Sequence, residues 1–160
     1  MIVRTTAKAA NLLRAKPAAG IEPDPNDWYL NVVWLDGRKN ALLAHAGTAF
    51  PIFVPDIKVA DLRPLGSWLR SVITESLADE HLPASALGEL GIGEPLIAKT
   101  ASRQVLGFMA QMALLVDWMT AEKGLVGTDF VVLNRRLRRG LHNYDGAYAT
   151  PLEFTTGRRR

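Results

Sequence analysis

Two clusters in this 160-residue chain hold residue types that could bind or react. The first is the run Leu-Asn-Arg-Arg-Leu-Arg-Arg at 133–139, where Arg135, Arg136, Arg138 and Arg139 fall within five positions. At about 100° per residue, a helix over 129–139 sets Phe130, Leu133 and Leu137 on one side. The four guanidinium groups then spread over an arc opposite them, facing water together. Cations at an exposed helix C-terminus are favoured by about 0.3–1 kcal/mol each, but four adjacent ones repel one another. An anion relieves that repulsion: a carboxylate from a neighbouring element, an acidic partner protein, or phosphates. Solvation or internal pairing ranks first, and phosphate binding second.

The second cluster is Lys99, Thr100, Ser102 and Arg103, which brackets the start of a long helix over 102–124. A helix N-terminus already offers unpaired N–H groups and partial positive charge. Thr100 or Ser102 accounts for a cap. Lys99 and Arg103 add charge of the same sign, which fits a site for phosphate, sulfate or a carboxylate. The competing reading pairs Arg103 with Glu94 or Asp61 after folding. The segment is no Walker A loop, because the glycines and the Gly-Lys-Ser/Thr order are missing.

Other chemistry is thin. His45, His81 and His142 lack metal-ligand spacing, and no metal or cofactor is implied. His45 reads as a packing histidine opposite Trp28. His142, beside the arginines, could serve as a general base with Arg103 and Ser102 in an RNA-cleaving site. The absence of cysteine excludes disulfides, iron–sulfur clusters and thiol catalysis. Trp28, Trp68 and Trp118 fit core positions better than a base-stacking platform, while Trp34 near a hairpin tip is expected to be partly exposed.

The elements that must position these groups follow from pattern. Apolar residues make up 48% and charged residues 22%, as in an ordinary globular domain. No apolar run suggests a membrane span, no export signal is evident, and a cytoplasmic protein is expected. The net charge of +3 equals the three arginines at 158–160, so attraction to a polyanion must come from local patches. Asp36-Gly37 between two β-rich runs signals a hairpin over 28–46, with Leu35 opposite Arg38 and Trp28 opposite His45. Its first strand is apolar on both faces, which predicts burial on both sides. Helices are predicted over 61–82, capped by Asp61, over 102–124, and over 129–139, capped by Thr128. The stretch 48–58 fits either a short helix or an edge segment. The stretch 141–154 reads as irregular. The sum is an α+β domain over 1–154: a small antiparallel sheet built on the hairpin, packed by two long helices and a shorter C-terminal one, with 155–160 a mobile basic tail.

With the stretches 28–66 and 99–109 in view, the chain resembles a family of small uncharacterised bacterial proteins. That family has a Trp-Tyr-x-Asn strand and a Lys-Thr-x-x-Arg-x-x-Leu-Gly-x-Met motif. By this resemblance Trp28, Tyr29, Asn31, Lys39, Thr48, Phe50, Lys99, Thr100, Arg103, Leu106, Gly107 and Met109 are its recurring positions. Ser102 departs from the family's asparagine. The resemblance implies a domain and draws attention to Arg103, and it implies no reaction. The C-terminal stretch 133–154 also looks like the end of some transposase integrase domains, without their acidic triad.

The functional expectation is a non-enzymatic binding protein that meets an anionic partner, with nucleic acid the most economical. The contact would be Arg135, Arg136, Arg138 and Arg139, with Lys99, Thr100, Ser102 and Arg103 as a second one. One alternative is a protein–protein module in which the arginines meet an acidic protein and TAFPIFVP (48–55) adds an apolar contact. The other is a small nuclease or phosphate-ester-binding enzyme using Arg103, Ser102 and His142.

Overall fold

The computed structural model describes residues 1–157. In chain order the elements are β1 (Ile2–Thr5), α1 (Ala7–Leu13), β2 (Trp28–Leu35), β3 (Arg38–His45), β4 (Pro51–Val54) and α2 (Leu65–Asp79). They continue with β5 (Leu96–Lys99), α3 (Arg103–Thr120), α4 (Phe130–Arg139), β6 (His142–Tyr144), β7 (Ala147–Ala149) and α5 (Pro151–Thr156).

The α+β class and the central hairpin stand as the sequence implies. Asp36 and Gly37 both take positive φ, 53° and 68°, as a two-residue hairpin turn of the favoured twist requires. The register pairs Leu35 with Arg38 and Trp28 with His45. The sheet is larger than the antiparallel one expected. It has five strands in the order β4-β3-β2-β1-β5, and β1 runs parallel to both β2 and β5. The short segments at 2–5 and 96–99 each lead into a helix, and a parallel neighbour needs such a crossover.

Helices cover both faces, which is why β2 is apolar throughout. Val3, Trp28, Leu30, Val32, Leu43 and Ile52 share one core with Ala9 of α1 and with Leu65, Leu69, Ile73 and Leu77 of α2. Tyr29, Leu42, Ala44 and Phe53 share the other with α3, α4, Tyr144 and Phe154. The side chains alternate between these layers with the period of two that a strand imposes.

Both outer strands are occupied along their open sides. On β4, the Asn134 side chain of α4 accepts from Phe53 N at 2.7 Å and donates to Phe53 O at 2.9 Å. Its amide pairs with Phe53 much as a residue of an adjacent strand would. On β5, Ala18 N donates to Ile97 O and Lys99 N donates to Ala18 O, each at 2.9 Å.

Several expectations are corrected here. Of the two readings of 48–58, the edge segment holds and the helix does not: β4 is an edge strand, and Phe50, Ile52 and Phe53 are at most 2% exposed. The apolar surface proposed for a protein partner is therefore core. α2 starts at Leu65, not Asp61. Glu94 receives Gly66 N at 3.1 Å, while Asp61 closes a local turn by accepting from Lys58 N. Asp129, not Thr128, caps α4, because its carboxylate accepts from Val131 N and Val132 N. The stretch 141–154 is ordered: β6 and β7 form a second hairpin around Asp145-Gly146, and Thr150 with Glu153 forms a capping box on α5, with Pro151 at its start. α5 runs through Thr156, into the segment expected to be a basic tail. The three terminal arginines lie outside the described residues. Trp118, expected in the core, is 76% exposed, and Trp34 is exposed as expected, at 58%.

Candidate anion site

The arginine run does form the last turns of a helix, but its four side chains do not face water together. Its apolar stripe sits on β4 and α3, and that seat turns the polar side of α4 towards the end of α2. The last carbonyls of a helix have no intrahelical donor, and the end of α2 supplies them together with Glu80. Arg138 is 1% exposed. It donates to Ser76 O at 3.3 Å, to Pro51 O at 3.3 Å and to Glu80 Oε1 at 3.2 Å, and it lies over the Phe50 ring at 4.5 Å. Arg139 donates to both oxygens of Glu80, at 3.0 and 2.7 Å. Arg135 donates to Asp79 O at 2.8 Å.

Burial raises the Glu80 carboxyl, but hydrogen bonds from Arg139 and Arg138 outweigh it, and the net pKa lies below 4.5. Arg136 is exposed, as Arg139 is, and alone of the four has no hydrogen-bond or ion-pair partner among the described residues. It lines a cleft of about 530 Å³ with Trp118, Met119, Lys123 and Val132, and Glu122 and Asp129 line it too. Internal pairing thus accounts for Arg138 and Arg139, a backbone carbonyl holds Arg135, and Arg136 faces a cleft of mixed charge.

The second cluster behaves differently. β1 and β5 are adjacent and parallel. The helix after β1 packs on one face of the sheet and the helix after β5 on the other. Where neighbouring parallel strands send their connections to opposite faces, the edge at their carboxyl ends is the usual place for a ligand in sheets of this kind. Ser102 caps α3, accepting from Val105 N at 3.2 Å. Ser102 N in turn donates to the Tyr29 hydroxyl at 3.1 Å, which fixes the start of α3 to the sheet. Register sets Lys99 beside Thr5, so Lys99 leaves the edge on the α1 side, while Arg103 opens α3 on the other.

Glu94 and Asp61, the carboxylates that could have claimed Arg103, are engaged elsewhere. Arg103, Lys99 and Lys8 in the first turn of α1 are exposed, and among the described residues none has a side-chain partner. Thr100 follows Lys99 at the strand end and is half-buried.

Three residues that bear on this edge had no signal in the sequence. Arg4, 1% exposed, donates Nε to Asp27 at 2.6 Å, Nη1 to Lys99 O at 2.9 Å, and Nη2 to Ile21 O and Glu22 O at 3.1 and 2.7 Å. It ties the loop over 17–27, which holds Pro17, Pro23 and Pro25, and the end of β5 to β1. Asp27 also accepts from Asp24 N. Lys8 is a lone cation in a short helix, and only the fold brings it to the edge.

The histidines do not assemble with these groups. The His142 ring stands edge-on to Phe108 at 5.1 Å, and burial lowers its pKa. Phe108 and Arg103 are five positions apart on α3, roughly 140° around the helix and about 7.5 Å along it. Among the described residues no hydrogen bond joins His142 to Arg103 or Ser102, the groups expected to work together in a nuclease. Among the described residues, no group of three or more His, Cys, Asp or Glu could hold a metal ion.

His45 is a packing histidine, edge-on to Trp28 at 5.2 Å with Nδ1 at 3.0 Å from the Thr48 hydroxyl. Burial drives its pKa from 6.5 down to about 4, against the raising pull of Asp27, the Leu87 carbonyl and Asp24. The unfolded chain takes up this proton near pH 6.5 and the folded one only near 4. Stability should therefore fall as pH drops through that window, by on the order of 3 kcal/mol. Urea unfolding measured from pH 7 to 4 should show the slope, and His45→Gln should flatten it. An unchanged slope in the variant would assign it to other groups.

No curated protein and no solved structure matches this chain. The family model described as a domain of unknown function, DUF6933, matches residues 2–154, and the chain belongs to that family.

Proposed function

We propose that the chain is a binding protein for a phosphate-bearing partner, with nucleic acid as the partner class. The contact is the carboxyl edge of β1 and β5, not the arginine helix. One observation carries this reading: Lys8, Lys99 and Arg103 lie at the amino ends of the two helices that leave this edge, with no carboxylate partner among the described residues. Helix amino ends repel cations and favour anions, so placing unpaired cations there costs the fold free energy that an external anion returns. Thr100 and the N–H groups of the first turn of α3 supply hydrogen bonds to phosphate oxygens, and Arg103 and Lys99 supply charge from the two sides of the sheet.

Inorganic phosphate and a short single-stranded oligonucleotide, titrated at low salt, should shift the amide NMR signals of residues 99–104. Three phosphate contacts give a log–log salt slope of roughly −2 for a single strand, a loss of affinity of about 20-fold between 50 and 200 mM salt. The double variant Lys99→Ala/Arg103→Ala should remove the binding and leave the fold unchanged. Shifts confined to α4, or none at any salt, would refute the reading.

A further inference from the structure

The outer side of α3 carries an apolar stripe that the described residues leave uncovered. Gly107, Ala110, Leu114, Trp118 and Ala121 are all exposed, Leu114 at 72% and Trp118 at 76%. They lie within about 40° of one line along the helix. Gly107 is unexplained by the fold. A Cβ built there meets nothing within 4 Å, yet a glycine in mid-helix weakens the helix relative to alanine. A glycine on an open helix face fits close approach by something outside the chain.

We propose that this stripe is the interface of a homodimer in which α3 packs antiparallel against α3 of a second copy. The spacing is palindromic about Leu114: Ala110 and Trp118 lie four positions either side of it, and Gly107 and Ala121 seven. A twofold axis at Leu114 sets Leu114 against its own copy. It places each Trp118 level with Ala110 of the second copy and each Ala121 level with Gly107. Large residues thus meet small ones, as a self-complementary interface requires. Charge selects the same direction. Arg103 stands at the start of the stripe and Glu122 just past its end, and antiparallel packing brings Arg103 within about one turn of the opposing Glu122, whereas parallel packing sets like charges together. The cleft beside Trp118, with two acidic and two basic residues on its walls, has no net charge to repel another copy.

The interface adjoins the anion edge at Arg103, which lacks a carboxylate partner in the single chain and gains the opposing Glu122 only in the dimer; Lys8 and Lys99 stay outside the interface.

The chain has no cysteine, so a single introduced thiol reports contact cleanly. Leu114→Cys should form a disulfide-linked dimer under mild oxidation, much faster than Ser71→Cys on the exposed side of α2. Sedimentation of the wild-type chain should show a concentration-dependent dimer. Leu114→Glu should be a folded monomer by circular dichroism, because this side chain is exposed in the single chain. Trp118→Ala, counted twice by symmetry, should weaken the dimer by roughly 10²- to 10³-fold. The charge swap Arg103→Glu/Glu122→Arg should dimerise better than either single change. A wild-type chain that stays monomeric to concentrations on the order of 1 mM, or equal cross-linking from positions 114 and 71, would overturn the proposal.

Discussion

Replacing Glu80 by alanine should destabilise the fold by about 3–5 kcal/mol, the range for removing one partner of a buried ion pair. The carboxylate side chain is 1% exposed and takes hydrogen bonds from both Arg138 and Arg139. Without it, Arg138 remains buried with only carbonyl oxygens and the Phe50 ring to answer its charge. For a domain of this size the loss corresponds to a fall in Tm of roughly 6–20 °C. Arg139→Ala should cost well under ~1 kcal/mol, because that guanidinium is half in water. Arg136→Ala should be close to neutral. If Glu80→Ala and Arg136→Ala melted alike, the buried pair would not hold α4 in place. The pH behaviour carries the same sign. The folded Glu80 pKa lies below 4.5, so the pair's contribution is complete above that pH and is lost as pH falls through the folded value. Glu80→Gln should remove that portion of the acid loss and leave the His45 portion between pH 6.5 and about 4 intact.

The second large effect belongs to Asp27. Arg4 and Asp27 are 2–3% exposed at the side chain and 2.6 Å apart. Asp27→Ala leaves a buried guanidinium with only backbone carbonyls for partners, and a loss of about 3–5 kcal/mol is again expected. Its reach differs from that of Glu80. Arg4 also holds Lys99 O and the carbonyls of Ile21 and Glu22, so the change should loosen the 17–27 loop and the end of β5. Hydrogen exchange should accelerate at Ala18 and Lys99, whose N–H groups pair the loop with β5, before it does in α4. Under the proposed function, phosphate affinity should fall as well, although Asp27 itself is buried away from any anion. Uniform acceleration across the domain would show that the pair acts only on global stability.

Much of the architecture was legible because it rests on local chemistry. Asp36-Gly37 fixed the first hairpin and its register, since few residue pairs tolerate two left-handed conformations in succession. The helical spacing of Leu65, Leu69, Ile73 and Leu77 gave α2 its buried side. The second hairpin and α5 carried equally plain marks, Asp145-Gly146 and Thr150-Pro151-x-Glu153. The irregular look of 141–154 hid Pro151, a proline that opens a helix. What was not legible depends on pairs far apart in the chain. Nothing local distinguishes Arg138, which finds Glu80 58 positions away, from Arg136, which finds no carboxylate among the described residues. Arg4 and Asp27 look like surface residues until the loop folds over them. Trp118 has the residue type of a core position, but the helical phase of α3 turns it outward.

The hydrogen bonds from Asn134 to Phe53, and from Ala18 along β5, bear on how this protein can associate. Exposed strand edges template pairing with other chains, and proteins block them to avoid domain swapping and fibril growth. With both flanks of the five-stranded sheet filled from within the chain, β-augmentation of that sheet is blocked. That turns association away from this sheet's edges, and Asn134→Leu would reopen the route to aggregation that the side-chain amide now obstructs.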